Sequence, residues 1–294
     1  MKNIILKGGL GNQLFQFSKF LDLKKNKNFK NLGIDSKTGF LLDFKYNRKL
    51  EIYSLKNKEV FKEHIISLIN IFLIAVEEYL PYLNKLLDVC IIDDTKDINL
   101  YRIKKKHMIF NGYFQDYKIV KTNINELFKF IKPNFEMIYS DKFEDLYKNI
   151  SFHKNSVAIG IRFYEESKNP LIHSSPSKRI KNVDNFNKVI AYYESLLIDP
   201  CFYIFVQEEN LFTRNLIFNS PYHLVTHSKG YLGSWQRIKA QALCKHHIFN
   251  NSTFYFWGAI FSKFINQNKN ISPKIFVSDN FIYDKIYDPS WEKF

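Results

Sequence analysis

Short apolar segments alternate with amphipathic helical segments along much of this 294-residue chain. Near the start, Asn3-Ile-Ile-Leu6 is typical of a strand, a glycine turn follows, and Leu14, Phe17 and Leu21 then recur at helical spacing. Further on, residues 65–87 and 123–130 show helical patterns, and residues 109–114 form a short apolar segment. The first half of the chain therefore begins as strand, loop and helix.

The second half alternates more regularly. We predict strands at residues 157–161, 202–206, 223–226 and 247–249, and helices at residues 185–197, at residues 234–244 with Ser234 as the cap, and from about residue 254. Strands that alternate with helices favour a parallel sheet covered on both faces. A polar stretch between Pro133 and Asn155 separates the halves, so we predict two domains, residues 1–145 and 146–294, each long enough to bury its own core.

The glycine turn near the start is Gly8-Gly-Leu-Gly-Asn-Gln13. It is not the dinucleotide fingerprint, because Leu14 takes the place of the third glycine, and it lacks the Gly-Lys-Ser/Thr of a P-loop. Two interpretations remain open at this point. The turn packs a helix against a sheet, or the amides of Asn12 and Gln13 bind sugar hydroxyls where the loop opens.

A second polar loop, Asn250-Asn-Ser-Thr253, lies between a predicted strand and a predicted helix. Backbone N–H groups at a helix start bind anions such as a diphosphate, although serine and threonine are also ordinary helix caps. Arg162 and Gln207-Glu208 follow two other predicted strands. Because ligands of open parallel sheets bind at the carboxyl ends of the strands, we expect these residues to meet at one ligand site.

Three segments resemble the signature regions of the bacterial α-1,2-fucosyltransferases, glycosyltransferase family 11. They are Gly8-Gly-Leu-Gly-Asn-Gln-Leu-Phe-Gln16, Gly112-Tyr-Phe-Gln115 and Leu243-Cys-Lys-His-His-Ile-Phe-Asn-Asn-Ser-Thr-Phe-Tyr-Phe-Trp-Gly-Ala259. Pro273-Lys-Ile-Phe276 and Asp288-Pro-Ser-Trp291 are similar to the closing segments of that family, so the likeness extends along the whole chain.

This resemblance implies an α/β fold of GT-B type, in which two Rossmann-like domains face a cleft. Residues 1–145 would form the acceptor-side domain and residues 146–294 the nucleotide-sugar-binding domain. The implied reaction is an inverting transfer of L-fucose from GDP-β-L-fucose to a galactose-type hydroxyl of a surface glycan, with an α-1,2 linkage and no metal. The enzyme would be a galactoside 2-α-L-fucosyltransferase of O-antigen or capsule synthesis, with a glycan or lipid-linked oligosaccharide as acceptor.

One signature is altered. The family's His-x-Arg-x-x-Asp-Tyr box is Gly160-Ile-Arg-Phe-Tyr-Glu-Glu166 here, and the acidic pair after the next strand is Gln207-Glu208. We interpret the chain as a divergent member that uses the same pocket. Two alternatives stay open: a GT-B transferase that uses another nucleotide sugar, and an inactive relative that binds glycan.

The chemistry of transfer assigns roles within the resemblance. Negative charge builds on the leaving β-phosphate, and the forked donors of Arg162 suit a diphosphate. Glu165, which aligns with the family's aspartate, or its neighbour Glu166 would accept the proton of the acceptor hydroxyl. Asn12 matches an asparagine that is important for catalysis in the related protein O-fucosyltransferases. The other predicted donor-binding residues are Gly9, Gly11, Gln13, Gln207, Glu208, Asn251, Ser252 and Thr253.

Composition limits the partners. The net charge of +14 favours anionic partners, but the lysines are scattered and accompany no nucleic-acid motif, so we predict no nucleic-acid partner. Met1 leads directly into a strand and the three cysteines lie in apolar segments, which is typical of a reduced, cytoplasmic protein. The apolar run at residues 65–76 is too short to span a bilayer; it indicates a core helix or peripheral contact with an anionic inner membrane.

Two groups of residues contain side chains that can bind a metal, but they lack the sequence spacing of metal sites. Asp93-Asp94 with Asp97 lacks the Asp-x-Asp pattern, and we interpret it as a solvated strand end. Cys244, His246 and His247 have no second ligand pair, and we interpret them as packing residues. The sequence therefore predicts no metal and no other cofactor.

Overall fold

A computed structural model describes residues 1–44, 46–52, 55, 60–80, 87–94, 105–137, 140–163, 182–266, 273–279 and 284–294, and all of their side chains except those of residues 60–66, 77 and 78. The chain divides into two compact units, Met1–Asn134 (unit 1) and Phe135–Phe294 (unit 2).

Unit 1 contains a four-stranded parallel sheet in the order β2-β1-β4-β3. Ile4 and Ile109 in the two central strands are fully buried. The strands are β1 (Lys2–Ile5), β2 (Leu32–Asp35), β3 (Val89–Ile92) and β4 (His107–Phe110); the helices are α1 (Leu10–Lys24), α2 (Thr38–Leu41), α3 (Val60–Tyr79) and α4 (Tyr117–Glu136), with a 3₁₀ turn at Lys27–Phe29.

Unit 2 contains a six-stranded parallel sheet in the order β10-β9-β8-β5-β6-β7. Its helices are α5 (Asp141–Phe152), α6 (Val183–Leu196), α7 (Leu211–Arg214), α8 (Ser234–Leu243) and α9 (Thr253–Asn266). Its strands are β5 (Asn155–Gly160), β6 (Pro200–Phe205), β7 (Tyr222–Val225), β8 (His246–Phe249), β9 (Ile275–Val277) and β10 (Glu292–Lys293), with a 3₁₀ turn at Asp284–Ile286.

The strand order creates a switch point in each sheet. After β5 the chain builds β6 and β7 on one side of it, then places β8 against its other side. In unit 1, β1 likewise lies between β2 and β4. A crevice opens beyond the carboxyl ends of two strands whose connections run in opposite directions, which is where α/β proteins bind ligands. The predicted α/β fold with parallel sheets is confirmed.

Three details differ from the sequence-based expectation. The units separate after Asn134 and not at residue 145, because α5 packs within unit 2: the Tyr147 hydroxyl donates to the Gln236 carbonyl over 3.1 Å. Ser234 is the first residue of α8, and Gly233, with a φ of 104°, occupies the cap position. The helix predicted at residues 65–87 is α3, which begins earlier at Val60 and ends at Tyr79; residues 81–86 lie outside the described part of the chain.

Within the described residues, no helix has the length and apolar content needed to cross a bilayer.

Candidate active site

Asn250 ties together the ends of the two central strands of unit 2. Its side-chain Oδ1 accepts the backbone N–H of Arg162 over 2.8 Å, and its Nδ2 donates to the Arg162 carbonyl over 2.9 Å. Asn250 is buried, and its own N–H donates to the Gly160 carbonyl over 3.2 Å. The side chain therefore fixes the backbone from which Arg162 projects at the carboxyl edge of the sheet.

The Arg162 side chain reaches the next strand end. Its Nη1 donates to Oε1 of Gln207 over 3.3 Å, and the guanidinium is half-buried. His227, whose N–H donates to the Gln207 carbonyl over 2.9 Å, lies in the same electrostatic environment. Burial lowers the pKa of His227, the positive charge of Arg237 lowers it further, and Glu208 opposes both effects. This edge thus places the charges of Arg162, Arg237 and Glu208 around His227.

Arg237 is a second arginine at this edge. It lies on α8, is only 5% exposed, and its Nη2 donates to the Val206 carbonyl at the end of β6 over 2.7 Å. A buried guanidinium held at a strand end adds fixed positive charge where a ligand binds. We call the following residues the unit 2 rim: Arg162, Gln207, Glu208, His227, Arg237 and residues 250–253.

The start of α9 completes the unit 2 rim. The helix begins at Thr253, and its first turn is closed by the Phe256 N–H, which donates to the Ser252 carbonyl over 3.0 Å. Ser252 and Thr253 are half-buried and Asn251 is 9% exposed. The first backbone N–H groups of a 14-residue helix and its dipole favour a negatively charged ligand here.

Gly160 explains one departure from the fucosyltransferase box. A Cβ at this position would overlap the ring of Tyr255, whose hydroxyl donates to the carbonyls of Ile161 over 3.0 Å and Phe205 over 2.7 Å. Tyr255 thus fills the space beside the strand end that a histidine at residue 160 would need. The two residues pack against each other. Arg162 remains as the side chain that matches the arginine of the fucosyltransferase box.

In unit 1, two glutamines of the glycine motif support the loop instead of facing a ligand. Gln13 is fully buried: its Nε2 donates to the carbonyls of Gly8 and Lys49, and its Oε1 accepts the Glu51 N–H over 2.9 Å. This differs from the ligand-binding role predicted for Gln13, because its amide is occupied by backbone groups. Gln16, also fully buried, bridges the Lys7 N–H and the Gly112 carbonyl.

Asn12 has a different environment. It is half-buried, and its Oδ1 accepts a hydrogen bond from Nε2 of Gln115 over 3.1 Å, which connects the first motif to the second. Gly8, with a φ of 76°, turns the chain beside it. The other glycines of the motif serve packing: Gly11 is buried within α1, and a Cβ on Gly9 would overlap the guanidinium of Arg48.

Asp94 holds the Gly112-Tyr-Phe segment in place. Its two carboxylate oxygens accept the N–H groups of Tyr113 and Phe114, each over 2.6 Å, and Gly112 packs directly on the carboxylate. Asp94 is therefore a half-buried support for a loop, which corrects its interpretation as a solvated strand end. Asp97 lies outside the described residues.

These loops line a cavity of about 410 Å³ at the carboxyl ends of β1, β2 and β4. The Lys7 ammonium lies over the Tyr113 ring at 5.1 Å, and the Arg48 guanidinium lies over the Tyr46 ring at 4.7 Å. Burial lowers the pKa of Lys7, which Asp94 and Asp93 oppose. We call this cavity the unit 1 pocket; its lining includes Lys7, Gly8, Asn12, Tyr46, Arg48, Asn111 and Tyr113.

The chain is similar, from end to end, to a bacterial glycosyltransferase. It is 22% identical over 312 residues to the O-antigen biosynthesis glycosyltransferase WbnK of Escherichia coli, and the alignment covers 97% of this chain and 98% of WbnK. A crystal structure of a glycosyl transferase family 9 protein from Veillonella parvula aligns with 100% of this chain and 85% of its own, with 12% identity and a TM-score of 0.41. No protein-family model matches the chain.

The structure brings the predicted residues of the second half that it describes to one edge of the unit 2 sheet. Glu165 and Glu166 lie outside the described residues. Arg237 was missed by sequence reasoning, because an arginine in an amphipathic helix is ordinarily exposed; its position between Trp235 and Ile238, both buried, was the available signal. His246 accepts the Lys274 N–H at Nδ1 over 3.1 Å, in keeping with a packing role.

Proposed function

We propose that this chain is a glycosyltransferase of O-antigen assembly that binds the diphosphate of a nucleotide sugar at the unit 2 rim. The observation that carries the proposal is the fixed Arg162, held at its backbone by Asn250 and at its side chain by Gln207. Its place at the switch point of a parallel sheet is typical of a nucleotide site. The similarity to WbnK supports the class of reaction.

The unit 2 rim suits a leaving diphosphate. When the bond between the sugar and the β-phosphate breaks, the electron pair stays on the phosphate oxygen, and a fixed set of donors stabilises that charge. Arg162, Arg237 and the N–H groups at the start of α9 supply such donors without a metal. Because Asn250 already holds the Arg162 backbone, little reorganisation is needed as the charge develops.

The finer proposal is that the donor is GDP-β-L-fucose and that the product is an α-1,2-linked fucoside of a galactose-type acceptor. It is supported by the fucosyltransferase-like motifs of residues 8–16, 112–115 and 243–259. In this reaction the acceptor hydroxyl oxygen attacks the anomeric carbon from the face opposite GDP, its proton passes to Glu165 or Glu166, and GDP departs. The sugar configuration inverts.

The unit 1 pocket suits a carbohydrate. Tyr113 and Tyr46 offer aromatic faces, and the amides of Asn12 and Asn111 offer donors and acceptors for hydroxyl groups. We propose that the unit 1 pocket binds the acceptor, which is a glycan or a lipid-linked oligosaccharide. A cytoplasmic location with peripheral contact to an anionic membrane fits such an acceptor and the net charge of +14. Leu68 and Phe72 on α3 are exposed and offer apolar contacts to such a membrane.

A transfer assay with several donors tests the proposal. The purified protein is incubated with a galactose-terminated oligosaccharide and GDP-fucose, GDP-mannose or UDP-galactose, and nucleotide release and glycan product are measured together. Transfer from GDP-fucose with an α-1,2 product supports the full proposal. Transfer only from another donor would reject GDP-fucose and retain a glycosyltransferase that uses a different nucleotide sugar. Absence of transfer from every donor indicates the glycan-binding relative.

A further inference from the structure

The amino edge of the unit 2 sheet, opposite the unit 2 rim, carries a cluster of metal-ligating side chains. His153 precedes β5, Cys201 is the second residue of β6, and His223 is the second residue of β7. Their ligand atoms all lie within 4.8 Å of one another, and they form the only group of this kind in the part of the chain that the structure describes. We propose that His153, Cys201 and His223 bind a divalent cation of the zinc class.

The distances suit a cation after a small adjustment. Zinc bonds of about 2.0–2.1 Å to nitrogen and 2.3 Å to sulfur place tetrahedral ligand atoms roughly 3.3–3.8 Å apart. The observed limit of 4.8 Å therefore requires a movement of about one ångström or less per ligand. Cys201 is fully buried in its strand, whereas His223 is exposed, so the larger share of this movement falls to His223.

Tyr203 holds the cluster in shape. Its ring stacks on the His223 ring at 5.1 Å with an interplanar angle of 14°, and it meets the His153 ring edge-on at 6.3 Å. The Tyr203 hydroxyl donates to Oδ1 of Asn149 over 2.5 Å, and the tyrosine is fully buried. Side chains packed behind metal ligands orient them and strengthen binding, and Tyr203 has that position here.

A cation of the zinc class binds cysteine as the thiolate and histidine as the neutral imidazole. Binding therefore replaces the Cys201 thiol proton with the cation: the sulfur–hydrogen bond breaks, a sulfur–metal bond forms, and the proton passes to solvent.

A cavity of about 930 Å³ gives access to the site. His223 lies in its wall, together with Asn149, Tyr222 and Lys229. Three protein ligands leave a fourth position of a tetrahedral cation for water from this cavity. Because the site joins β6 and β7 to the segment that precedes β5, at the edge away from Arg162, it would stabilise the sheet and take no part in sugar transfer.

The test uses the full chain, freed of any affinity tag and of metal. Cobalt(II) is titrated into the protein while the near-ultraviolet thiolate-to-cobalt absorption is recorded, and native mass spectrometry counts the zinc ions bound. We expect one ion per chain, a thiolate band, and a rise in Tm on loading. Cys201→Ser should abolish the band, and His223→Ala should weaken cobalt affinity by at least about tenfold.

Two matched variants in unit 1, Cys90→Ser and His107→Ala, should leave the titration unchanged. The exposed position of His223 keeps the test valid if Cys201→Ser fails to fold. Absence of a thiolate band in the wild-type protein would overturn the proposal. A band that survives in Cys201→Ser, or cobalt affinity unaltered in His223→Ala, would overturn it equally, because the cation would then lie elsewhere.

Discussion

The unit 2 rim and the unit 1 pocket occupy equivalent places in two parallel sheets and differ in chemistry. Each lies beyond the carboxyl end of a strand that has neighbours on both sides. The unit 2 rim presents two arginines and a helix start, whereas the unit 1 pocket presents amides, two tyrosines and their stacked cations. The shared topology provides the crevice, and the side chains that follow the strands decide what binds there.

In both regions an amide holds the backbone so that another side chain can face the ligand. Asn250 grips Arg162 in unit 2, and Gln13 braces the turn that presents Asn12 in unit 1. Polar residues of one motif thus divide into supports and contacts. Substitutions separate these roles, because a support changes stability and a contact changes turnover or affinity.

The largest effect is expected for Arg162→Ala. Loss of a charge-assisted contact costs roughly 1.5–3 kcal/mol in binding, and more as the leaving group gains charge, so kcat should fall by about a hundredfold or more. Arg162→Lys should recover only part, because it lacks the forked donors. Steady-state kinetics measures both variants, and Arg214→Ala, which removes an exposed arginine paired with Glu209, is the control. Near-normal turnover in Arg162→Ala would show that Arg162 is not part of the active site.

The second comparison sets Asn12→Ala against Gln13→Ala. Asn12→Ala should lower turnover strongly while GDP affinity and Tm change little, because Asn12 lines the unit 1 pocket. Gln13→Ala should lower Tm, because it removes a fully buried side chain and its three hydrogen bonds to the backbone of Gly8, Lys49 and Glu51, at about 0.5–1.5 kcal/mol each. Kinetics, calorimetry and thermal unfolding distinguish the two. Equal losses of turnover and GDP affinity in Asn12→Ala would assign Asn12 to the nucleotide site.

Gly160 and Tyr255 give a stability prediction for the unit 2 rim. Gly160→Ala places a Cβ against the Tyr255 ring, and overpacking of this kind costs about 1–3 kcal/mol. The double variant with Tyr255→Ala lacks that clash. Its loss in free energy of unfolding should therefore be smaller than the sum of the losses of the two single variants. Urea unfolding of the four proteins measures the coupling. Strict additivity would show that the two side chains do not compete for the same space.

The buried histidines of β8 predict a pH dependence. Burial lowers the pKa of His246 to about 4 and that of His247 to about 3, from 6.5. As the pH falls below about 6.5, the unfolded chain binds protons at these residues and the folded chain does not, so stability falls. The free energy of unfolding should therefore decrease from pH 7 toward pH 4, with a shallower decrease in His246→Gln. A flat profile in that range would contradict the burial of neutral imidazoles.

The smallest effect is expected from chelation. Because the unit 2 rim supplies its own cations, sugar transfer should continue in excess EDTA. A cation bound at Cys201 lies at the opposite edge of the sheet, so its removal should lower Tm and spare turnover. Abolished transfer that returns with manganese or magnesium would show that the diphosphate requires a metal.

The sequence predicted four of the six strands of unit 2, β5 to β8, because their apolar runs end sharply at polar residues, whereas β9 and β10 were not predicted. Arg162 and Asn250 follow such ends directly, so their convergence follows from the topology of a parallel sheet. The role of Gln13 was not predictable, because its partners at Lys49 and Glu51 come from a distant loop. The fit of Tyr255 on Gly160 and the burial of Arg237 likewise depend on packing between elements that are remote in sequence.

Titration of nucleoside diphosphates by calorimetry tests the central claim most directly. The wild-type protein is titrated with GDP, UDP and CDP, and the same series is repeated with Arg162→Ala and with the surface control Arg214→Ala. We predict selective binding of GDP that weakens by about ten- to a hundredfold in Arg162→Ala and is unchanged in Arg214→Ala. Preference for UDP would reject GDP-fucose as the donor and retain the unit 2 rim as the nucleotide site. Failure to bind any nucleotide, or equal affinity in wild type and Arg162→Ala, would contradict the assignment of the unit 2 rim as a nucleotide-sugar site.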